Sequence, residues 1–509
     1  ILASRLSENI EIKVLLIEEG SNVFSPWFKI PIGYAKLLNN KKITKISKTI
    51  PQSNLNFRSV DIPRASVMGG GSMINGMIYM QGYKSDFDDW ESLGCEGWGW
   101  DGVKEYFNKF QHKDINTEIK NKSPVIISQA ITNNQIVHAF IKVGKELGYE
   151  DQVNYGAPTT RGVGMHELTI SNGLRQSSIK YLSKRKNLTI LYGHKVSKLI
   201  VKGDVVEGVK SITRRKKYTF YAKKEVVLSA GAFGTPKILQ LSGIGPKDLL
   251  KSVKVDLKHD LNGVGKNLQD HFQLRCVYKT KNSTTYNDLY WSYPKKIYAA
   301  LKYIFFKKGP MAEGVSLAGL CGTEIINNIE HSIQMHVTLA SGDYTNRLHK
   351  DSGITISVYQ EKPSSRGSVK IKSNDHNDEI EIDTNYISTN YDIESLSASL
   401  NLTRKIMYSK AMSGFLREEL YPGKGVENKK QITLYAKSTG TTIYHQCGTC
   451  KMGVDSDSVV NSNLTVNSMK NLRIADASIM PNIVSGNTNA TVMMIAEKAS
   501  DIIKKYHNI

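Results

Sequence analysis

Long apolar runs and cysteines are both scarce in this chain of 509 residues. No stretch approaches the roughly 18 consecutive apolar residues of a membrane-spanning helix, so such a helix is excluded. The five cysteines, an odd number, are too few for a disulfide scaffold and favour a reducing compartment. The 40% hydrophobic and 23% charged residues are typical of a globular protein and exclude disorder, collagen and coiled coil. At about 150 residues per domain, the length predicts roughly three domain-sized units or one large discontinuous fold.

Blocks of like charge are also absent, although 68 basic residues against 47 acidic ones give a net charge of +21. The basic residues are scattered, and the longest run is Arg214 to Lys217. A polybasic segment would need about five or more in a row. The excess is therefore best interpreted as a general lysine-rich bias, with no nucleic-acid partner, and an anionic partner stays open.

The first residues match the second half of a dinucleotide-binding βαβ unit. Ile1, Leu2 and Leu6 fall on one face of a short helix, and the buried-strand pattern KVLLIE follows, ending at Glu18. In such a unit the acid that ends the second strand binds the adenosine ribose. The Gly-x-Gly-x-x-Gly turn of the first half is missing, so we expect it to precede Ile1. A signal peptide is undecidable for the same reason.

Further segments predict local structure. Three glycines, 69–71, need a tight turn or a ligand close to the backbone. Segment 225–245 predicts a strand at 226–228 and a helix that begins at Thr235-Pro236 and ends at Ser242-Gly243. Alternating residues in 189–221 and 353–386 predict two β-meanders of antiparallel strands. A strand over 471–475 and a final helix from Asn489, with an apolar stripe, complete the pattern.

Six motifs in order along the chain together resemble the glucose–methanol–choline (GMC) family of flavin-dependent alcohol oxidoreductases. They are LASRLSE…KVLLIEEG (2–20), GGGSMINGMIYMQG (69–82), SAGAFGTPKILQLSGIG (229–245), LNGVGKNLQDH (261–271), YHQCGTCKMG (444–453) and LRIADASIMPNIVSGNTNATVMMIAEKASDII (472–503). The aromatic segment 96–107 also resembles a family segment and is interpreted as core. The resemblance covers essentially the whole chain.

The resemblance implies an α/β fold, α+β overall. A Rossmann-like FAD-binding domain with a mostly parallel sheet would be joined to a substrate domain of antiparallel sheet backed by helices. The predicted division is 1–271 for the FAD-binding domain, with roughly 80–150 contributing to the substrate side. Residues 272–430 would form the substrate domain, and 431–509 would return to the FAD-binding domain.

Alcohol oxidation needs a group that removes the hydroxyl proton while a hydride leaves for an acceptor. A histidine is the natural base near neutral pH, and the resemblance makes His445 the candidate. The family's partner group, a second His or an Asn a few dozen residues further on, corresponds to Asn487, with Asn489 as its rival. The alternative for both asparagines is a turn that caps the final helix.

The resemblance also implies the contacts of the FAD cofactor. Glu18 would bind the ribose, the glycine loop the pyrophosphate and the flavin ring, Val196 the adenine, and the 476–477 segment the ribityl chain. The predicted cofactor-binding residues are Glu18, Gly69, Gly70, Ser72, Asn75, Gly76, Met77, Ile78, Val196, Asp476, Ala477 and Asn489. No metal site is predicted, because Cys447 and Cys450 have no second Cys or His pair at ligand spacing.

The leading interpretation is an FAD-dependent dehydrogenase that oxidises a primary alcohol and passes electrons to a quinone or another acceptor. Choline dehydrogenation proper and alcohol oxidation with O2 stay open, because oxygen reactivity depends on gas access and local charge rather than on a motif. The contrasting class is a non-catalytic flavoprotein fragment or a basic binding protein. The predicted location is cytoplasmic or peripheral to the inner membrane, so peripheral membrane association stays open.

Overall fold

The computed structural model describes residues 1–113, 124–151, 162–345 and 347–509. Its helices are α1 (Leu2–Leu6), α2 (Tyr34–Leu38), α3 (Lys84–Ser92), α4 (Trp100–Phe110), α5 (Gln135–Glu146), α6 (Gly231–Leu241), α7 (Lys247–Ser252), α8 (Tyr286–Trp291), α9 (Tyr293–Phe306), α10 (Asn390–Met407), α11 (Lys410–Ser413), α12 (Lys429–Thr439) and α13 (Asn489–His507). In the same residues no helix is both long and apolar enough to cross a bilayer.

The strands of the first half of the chain are β1 (Val14–Glu18), β2 (Thr44–Lys48), β3 (Asp61–Ala65), β4 (Gln111–Lys113), β5 (Val125–Gln129), β6 (Glu150–Asp151), β7 (Gly162–Met165), β8 (Glu167–Leu168), β9 (Ile170–Ser171), β10 (Leu174–Arg175), β11 (Leu188–Tyr192), β12 (Lys195–Lys202), β13 (Val205–Ile212), β14 (Lys217–Tyr221) and β15 (Val226–Leu228). Those of the second half are β16 (Ile244–Gly245), β17 (His259–Asp260), β18 (Phe272–Thr280), β19 (Ala318–Ile326), β20 (Ile329–Thr338), β21 (Gly353–Gln360), β22 (Ser368–Lys370), β23 (Glu381–Asp383), β24 (Leu416–Tyr421), β25 (Thr441–Thr442) and β26 (Leu472–Ile474).

An eight-stranded, mostly antiparallel sheet forms the larger layer. Its order is β24-β18-β21-β20-β19-β7-β6, and β25 also pairs with β18. Helix α10 packs against β19, β20 and β21, and α5 packs against β7. The inward side chains of these strands are buried with α10 in one apolar core. The predicted antiparallel sheet backed by helices is therefore confirmed, and β6 and β7 extend it.

Parallel pairs of strands occur outside this sheet as well as at its β6–β7 edge. Strand β1 pairs in parallel with β11, and β15 pairs in parallel with β26. Within the described ranges no strand pairs with the other edge of β1. The mixed α/β class is thus confirmed, whereas the predicted division at residues 271 and 430 stays a prediction.

Two of the predicted strand groupings were wrong in detail. The segment 188–192 leaves the expected meander, because its backbone pairs with β1, and only β12, β13 and β14 form the antiparallel three-stranded sheet. In the second region β21 joins the eight-stranded sheet, whereas β22 and β23 form a separate antiparallel pair. Alternating patterns predict strands, but they do not determine which strand becomes the neighbour.

Helix α6 begins at Gly231, four residues before the predicted start at Thr235-Pro236, and contains Pro236 in its interior. Proline inside a helix removes the hydrogen bond to the carbonyl four residues earlier. That carbonyl, of Ala232, accepts instead a hydrogen bond of 2.6 Å from the hydroxyl of Thr449. The distant side chain satisfies the freed oxygen, and so the helix extends through the proline. The predicted end at Ser242 is confirmed.

We expect Thr449→Val to lower the free energy of unfolding by about 1–3 kcal/mol, because it leaves the buried Ala232 carbonyl without a donor. Urea denaturation measures the change. Thr433→Val is the matched control, since the Thr433 hydroxyl bonds the Lys429 carbonyl at an exposed position on α12. Equal losses in the two variants would contradict this account of the proline.

The final helix α13 belongs to a second apolar core, which it shares with β15 and β26. It packs against α1 and α4. The buried Glu497 carboxylate accepts hydrogen bonds from Arg5 Nε at 2.8 Å and from the Tyr181 hydroxyl at 2.7 Å. Trp98 and Phe107 lie fully buried in the same core, which confirms that the aromatic segment 96–107 is structural. Because α13 is fixed along its length, its first residues are held beside the site described next.

Candidate active site

One cavity of about 3370 Å³ runs from the end of β1, past the glycine segment 69–71, to the face of the eight-stranded sheet. Single-ligand pockets are typically about 300–1,000 Å³, so the space can hold an extended ligand and a second molecule. The wall includes every residue that the sequence suggested for the site: Glu18, Gly69, Gly70, Ser72, Asn75, Gly76, Met77, Ile78, Val196, His445, Asp476, Ala477, Asn487 and Asn489.

The position of His445 is fixed by a hydrogen bond between its backbone N–H and the carboxylate of Asp270. The backbone N–H of His445 donates to Asp270 Oδ1 at 2.9 Å. The other carboxylate oxygen accepts hydrogen bonds from the Thr442 hydroxyl at 2.6 Å, from Gln446 Nε2 at 2.7 Å and from the Tyr386 hydroxyl. Asp270 thereby ties the strand–turn segment of His445 to the last residues before β18.

The ring of His445 belongs to a chain of hydrogen bonds that has a direction. His445 Nδ1 lies 2.9 Å from His271 Nδ1, and His271 Nε2 lies 2.9 Å from the backbone oxygen of Glu361. A carbonyl can only accept, so neutral His271 carries its proton on Nε2 and accepts at Nδ1. His445 must then carry its proton on Nδ1. Its Nε2 then carries no proton and is the accepting nitrogen of the ring.

The far side of His445 agrees with that assignment. Asn487 Nδ2 lies 3.1 Å from His445 Nε2 and donates to it. Asn487 Oδ1 is buried and has no hydrogen-bond partner among the described residues. Asn489, the rival in the sequence, instead contacts Met493 Sδ at 3.5 Å and lines the cavity from the first turn of α13. The geometry therefore brings Asn487, rather than Asn489, to the histidine.

Burial keeps this group of rings neutral. Desolvation, together with the nearby His271 and His336, holds the pKa of His445 well below its usual value of 6.5. Burial likewise lowers the pKa of His271 and that of His336 to about 3 each. A neutral imidazole is the form that accepts a proton, so His445 is poised as a base throughout the neutral range.

The opposite end of the cavity has the features of a nucleotide site. Glu18 ends β1, and its Oε1 accepts a hydrogen bond from the Gly20 N–H at 2.7 Å. Burial raises the pKa of this carboxyl. A Cβ added at Gly70, Gly71 or Gly76 would meet no atom within 4 Å, although all three glycines line the cavity. Their backbone is open to a ligand, which fits a bound dinucleotide.

A second acid organises the middle of the cavity. Asp476 follows β26, and its Oδ2 accepts hydrogen bonds from the Gly231 N–H at 2.9 Å and from the Thr235 hydroxyl at 2.5 Å. Its Oδ1 caps the next turn by accepting from the Ser478 N–H at 2.8 Å. Gly231 has a φ of +78° and also borders the open cavity. Asp476 therefore fixes the start of α6 against the ligand space.

Sequence reasoning missed two residues that shape the site. His271 ends the LNGVGKNLQDH motif, and its place directly after an aspartate, Asp270, is the sequence signal that could have found it. Arg175 is buried and donates through Nη1 to Asn75 O at 2.9 Å and Asn75 Oδ1 at 2.7 Å. It braces the loop that follows the glycine segment. Nothing in the local pattern around Arg175 indicated this role.

Cys447 and Cys450 are both buried and reduced. Burial raises the pKa of each thiol, so neither becomes the reactive thiolate at neutral pH. The Cys-Gly-Thr-Cys segment contributes to the apolar core behind His445.

Sequence profiles of the GMC oxidoreductase family match this chain over residues 16–273 with their amino-terminal part and over 363–496 with their carboxy-terminal part. The chain belongs to the GMC oxidoreductase family. The predicted family is thus confirmed.

Two curated relatives align with this GMC oxidoreductase over almost its whole length. An alcohol dehydrogenase [acceptor] of Pseudomonas putida is 33% identical over 513 residues, which cover 99% of this chain and 93% of that protein. An oxygen-dependent choline dehydrogenase of Photobacterium profundum is 33% identical over 520 residues, which cover 99% of this chain and 90% of that protein.

Two solved structures superpose on the whole length of this chain. The pyridoxine 4-oxidase from Mesorbium loti superposes with a TM-score of 0.88 at 28% identity, covering 100% of this chain and 97% of that one. An FAD-dependent oxidoreductase from Chaetomium thermophilum superposes with a TM-score of 0.90 at 27% identity, with the same coverage. Both agree with the predicted mixed α/β fold of an FAD-binding domain and a substrate domain.

Proposed function

We propose that this GMC oxidoreductase binds FAD and oxidises a primary alcohol, with His445 as the base, and passes the electrons to a quinone or a similar acceptor. The observation that carries the proposal is the unprotonated Nε2 of His445, a residue at the wall of a cavity large enough for a cofactor and a substrate. The names of the full-length relatives support alcohols as the substrate class.

The residues that would hold FAD follow from the shape of the cavity. Glu18 would accept hydrogen bonds from the ribose, because it ends a parallel strand at one end of the space. Gly69 and the open backbone at Gly70 would approach the pyrophosphate and the ring, with Ser72, Asn75, Gly76, Met77 and Ile78 following along it. Val196 would meet the adenine, and Asp476, Ala477 and Asn489 would lie near the ribityl chain and the ring. Bound FAD supplies a hydride acceptor.

The chain's own residues would manage the proton. The substrate hydroxyl would displace the Asn487 amide N–H from His445 Nε2. His445 Nε2 would then accept the hydroxyl proton as a hydride leaves the carbon that bears the hydroxyl, and the resulting imidazolium would keep its Nδ1–H on His271. Asn487 would hold the ring at its orientation and offer its unpartnered Oδ1 to a polar group of the bound ligand. The buried position of His445 would exclude water from the proton transfer.

A panel of alcohols tests the proposal. Purified protein loaded with FAD would be mixed anaerobically with aliphatic and aromatic primary alcohols and with choline. Bleaching of the flavin absorbance by at least one alcohol supports the enzyme. Bound flavin that no alcohol bleaches would favour a non-catalytic flavoprotein. Repeating the turnover with O2 alone and with a quinone analogue separates an oxidase from a dehydrogenase.

We expect Asn487→Ala to lower kcat about 5-fold, which corresponds to one net hydrogen bond of about 1 kcal/mol. The base itself remains, so the loss is modest. Asn489→Ala is the comparison variant, since its amide contacts Met493 rather than the histidine. The two variants are compared at equal FAD content, because Asn489 also lies near the proposed cofactor. A larger loss of kcat in Asn489→Ala than in Asn487→Ala, at equal FAD content, would assign the partner role to Asn489.

A further inference from the structure

Helix α9, Tyr293–Phe306, presents its apolar face to solvent. It buries only Ala299 and Tyr303 against the rest of the protein. The large hydrophobic side chains that stay exposed are Tyr293, Ile297, Tyr298, Leu301, Ile304, Phe305 and Phe306. Single exposed hydrophobics are normal in proteins, but a contiguous group of this kind marks an interaction surface.

The spacing of these residues defines a continuous stripe. Positions 293, 297, 301 and 304 recur at intervals of three and four residues, and so they lie on one side of the helix. Ala299 and Tyr303 lie on the opposite side. Helix α9 is therefore amphipathic, but its apolar stripe faces the solvent. In a helix of a globular protein the apolar stripe usually faces the core.

The charge around the stripe is of one sign. Between Asp288 and Glu313 the sequence has five lysines, at 295, 296, 302, 307 and 308, and no acidic residue. Asp288 accepts a hydrogen bond from the Thr285 N–H at 2.7 Å, and Glu313 accepts one from the Tyr286 hydroxyl at 2.8 Å. The two flanking carboxylates are thus engaged within the protein.

The lysines lie among aromatic rings. Lys296 Nζ is 4.6 Å from the ring centre of Tyr290 and 5.1 Å from that of Tyr293. Lys307 Nζ is 4.7 Å from the ring of Tyr303. Rings with a polar end and lysines with long apolar stems are the side chains that settle at the boundary between lipid headgroups and acyl chains.

The surface also borders the cavity of the active site. Tyr290, Trp291, Lys296, Ala299 and Ala300 line the same cavity as His445. A molecule dissolved in a bilayer would therefore meet the cavity at the place where the helix rests on the lipid.

We propose that α9 and the lysines beside it form a docking surface for an anionic lipid bilayer, on which the protein lies without spanning it. The apolar stripe enters the headgroup region, and the lysines bind the negative surface. The surface goes beyond the proposed alcohol oxidation and does not depend on it, although it would place the cavity beside a membrane pool of quinone.

Vesicle sedimentation without any substrate tests the surface. We expect the purified protein to pellet with vesicles of phosphatidylcholine and phosphatidylglycerol at roughly 3:1, and far less with phosphatidylcholine alone. Raising the salt from about 0.1 M to 1 M should release most of it, because screening shortens from about 10 Å to 3 Å. Absence of binding, or equal binding to both kinds of vesicle, would overturn the proposal.

Two pairs of variants locate the contact. Lys295→Glu/Lys308→Glu should weaken partitioning at least about 25-fold, since each lysine near an anionic surface contributes about 5-fold. Lys424→Glu/Lys430→Glu changes two exposed lysines elsewhere and should have a much smaller effect. Phe305→Glu should also release the protein, whereas Ile131→Glu, 83% exposed on a loop, should not. Equal effects within either pair would contradict the assignment to α9.

Two further measurements distinguish a contact with lipid from a contact between two copies of the chain. Analytical ultracentrifugation of the wild type that shows a dimer, together with monomeric Phe305→Glu and no binding of wild type to vesicles, would make this face a contact between two copies instead. Turnover with a soluble acceptor should be unchanged in Phe305→Glu, which shows that the variant is folded. If no alcohol were oxidised, the vesicle result would still stand.

Discussion

His445→Ala is expected to bind FAD as the wild type does and to lose about 10²- to 10⁴-fold in kcat, the usual contribution of a general base. His445 Nε2 is the unprotonated nitrogen at the end of the hydrogen-bonded chain, and His445 lines the cavity. Its neighbours cannot replace it, because Asn487 donates to it and His271 faces away toward the Glu361 carbonyl. Stopped-flow measurement of flavin reduction, with FAD content from the visible spectrum, gives both quantities.

The pH dependence follows from the lowered pKa of His445. The base works only when it is neutral, so activity is full above its pKa and falls as the pH drops through it. Because burial places that pKa below the usual histidine value of about 6.5, the acid limb of kcat/KM should lie below that pH as well. The limb should vanish in His445→Ala.

His331→Ala provides a matched control for the removal of a buried imidazole. His331 is also fully buried, and its Nδ1 bonds the Ser395 hydroxyl at 2.7 Å, away from the cavity. This variant should change stability rather than kcat. A normal rate of flavin reduction in His445→Ala, with the acid limb retained, would show that another group takes the proton.

Much of the architecture could be predicted because local chemistry determines it. The strand at 226–228 and the helix from Asn489 appear in the structure at the expected residues, since short buried apolar runs and an apolar stripe depend mainly on nearby sequence. The start of α6 could not be predicted in the same way. It depends on the Thr449 hydroxyl, which lies more than two hundred positions away along the chain.

The candidate site likewise has features that the sequence predicts and features that it does not. The motifs identified His445 and Asn487, and the structure brings their side chains within 3.1 Å of each other. The proton arrangement was beyond the sequence, because it is imposed by one backbone carbonyl at Glu361 through His271. No pattern of residue types encodes which carbonyl a buried ring will meet. The outward-facing helix α9 was likewise hidden, because its periodicity is the same whichever side faces the solvent.

His271 should act as a positioning residue, and replacing it should lower kcat without removing the base. His271→Leu takes away the acceptor for the His445 Nδ1–H, which lies 2.9 Å from His271 Nδ1 in a buried setting. The unsatisfied donor costs about 1–3 kcal/mol, and the ring no longer has a fixed tautomer. We expect kcat to fall about 10²-fold, within the range that this energy allows, while KM and FAD content change little.

His271→Asn is the matched variant that separates positioning from packing. Asn has nearly the shape of Leu, but its Oδ1 can accept a hydrogen bond near the place where the His271 Nδ1 stands. If the acceptor is what matters, the Asn variant should recover most of the lost rate, and the Leu variant should not. If both variants were equally slow, with equal losses of stability in urea, His271 would serve only to fill the core beside Tyr359, whose ring centre lies 5.0 Å away. Recovery in the Asn variant alone would show that an acceptor at this place keeps the proton of His445 on Nδ1, the side away from the substrate.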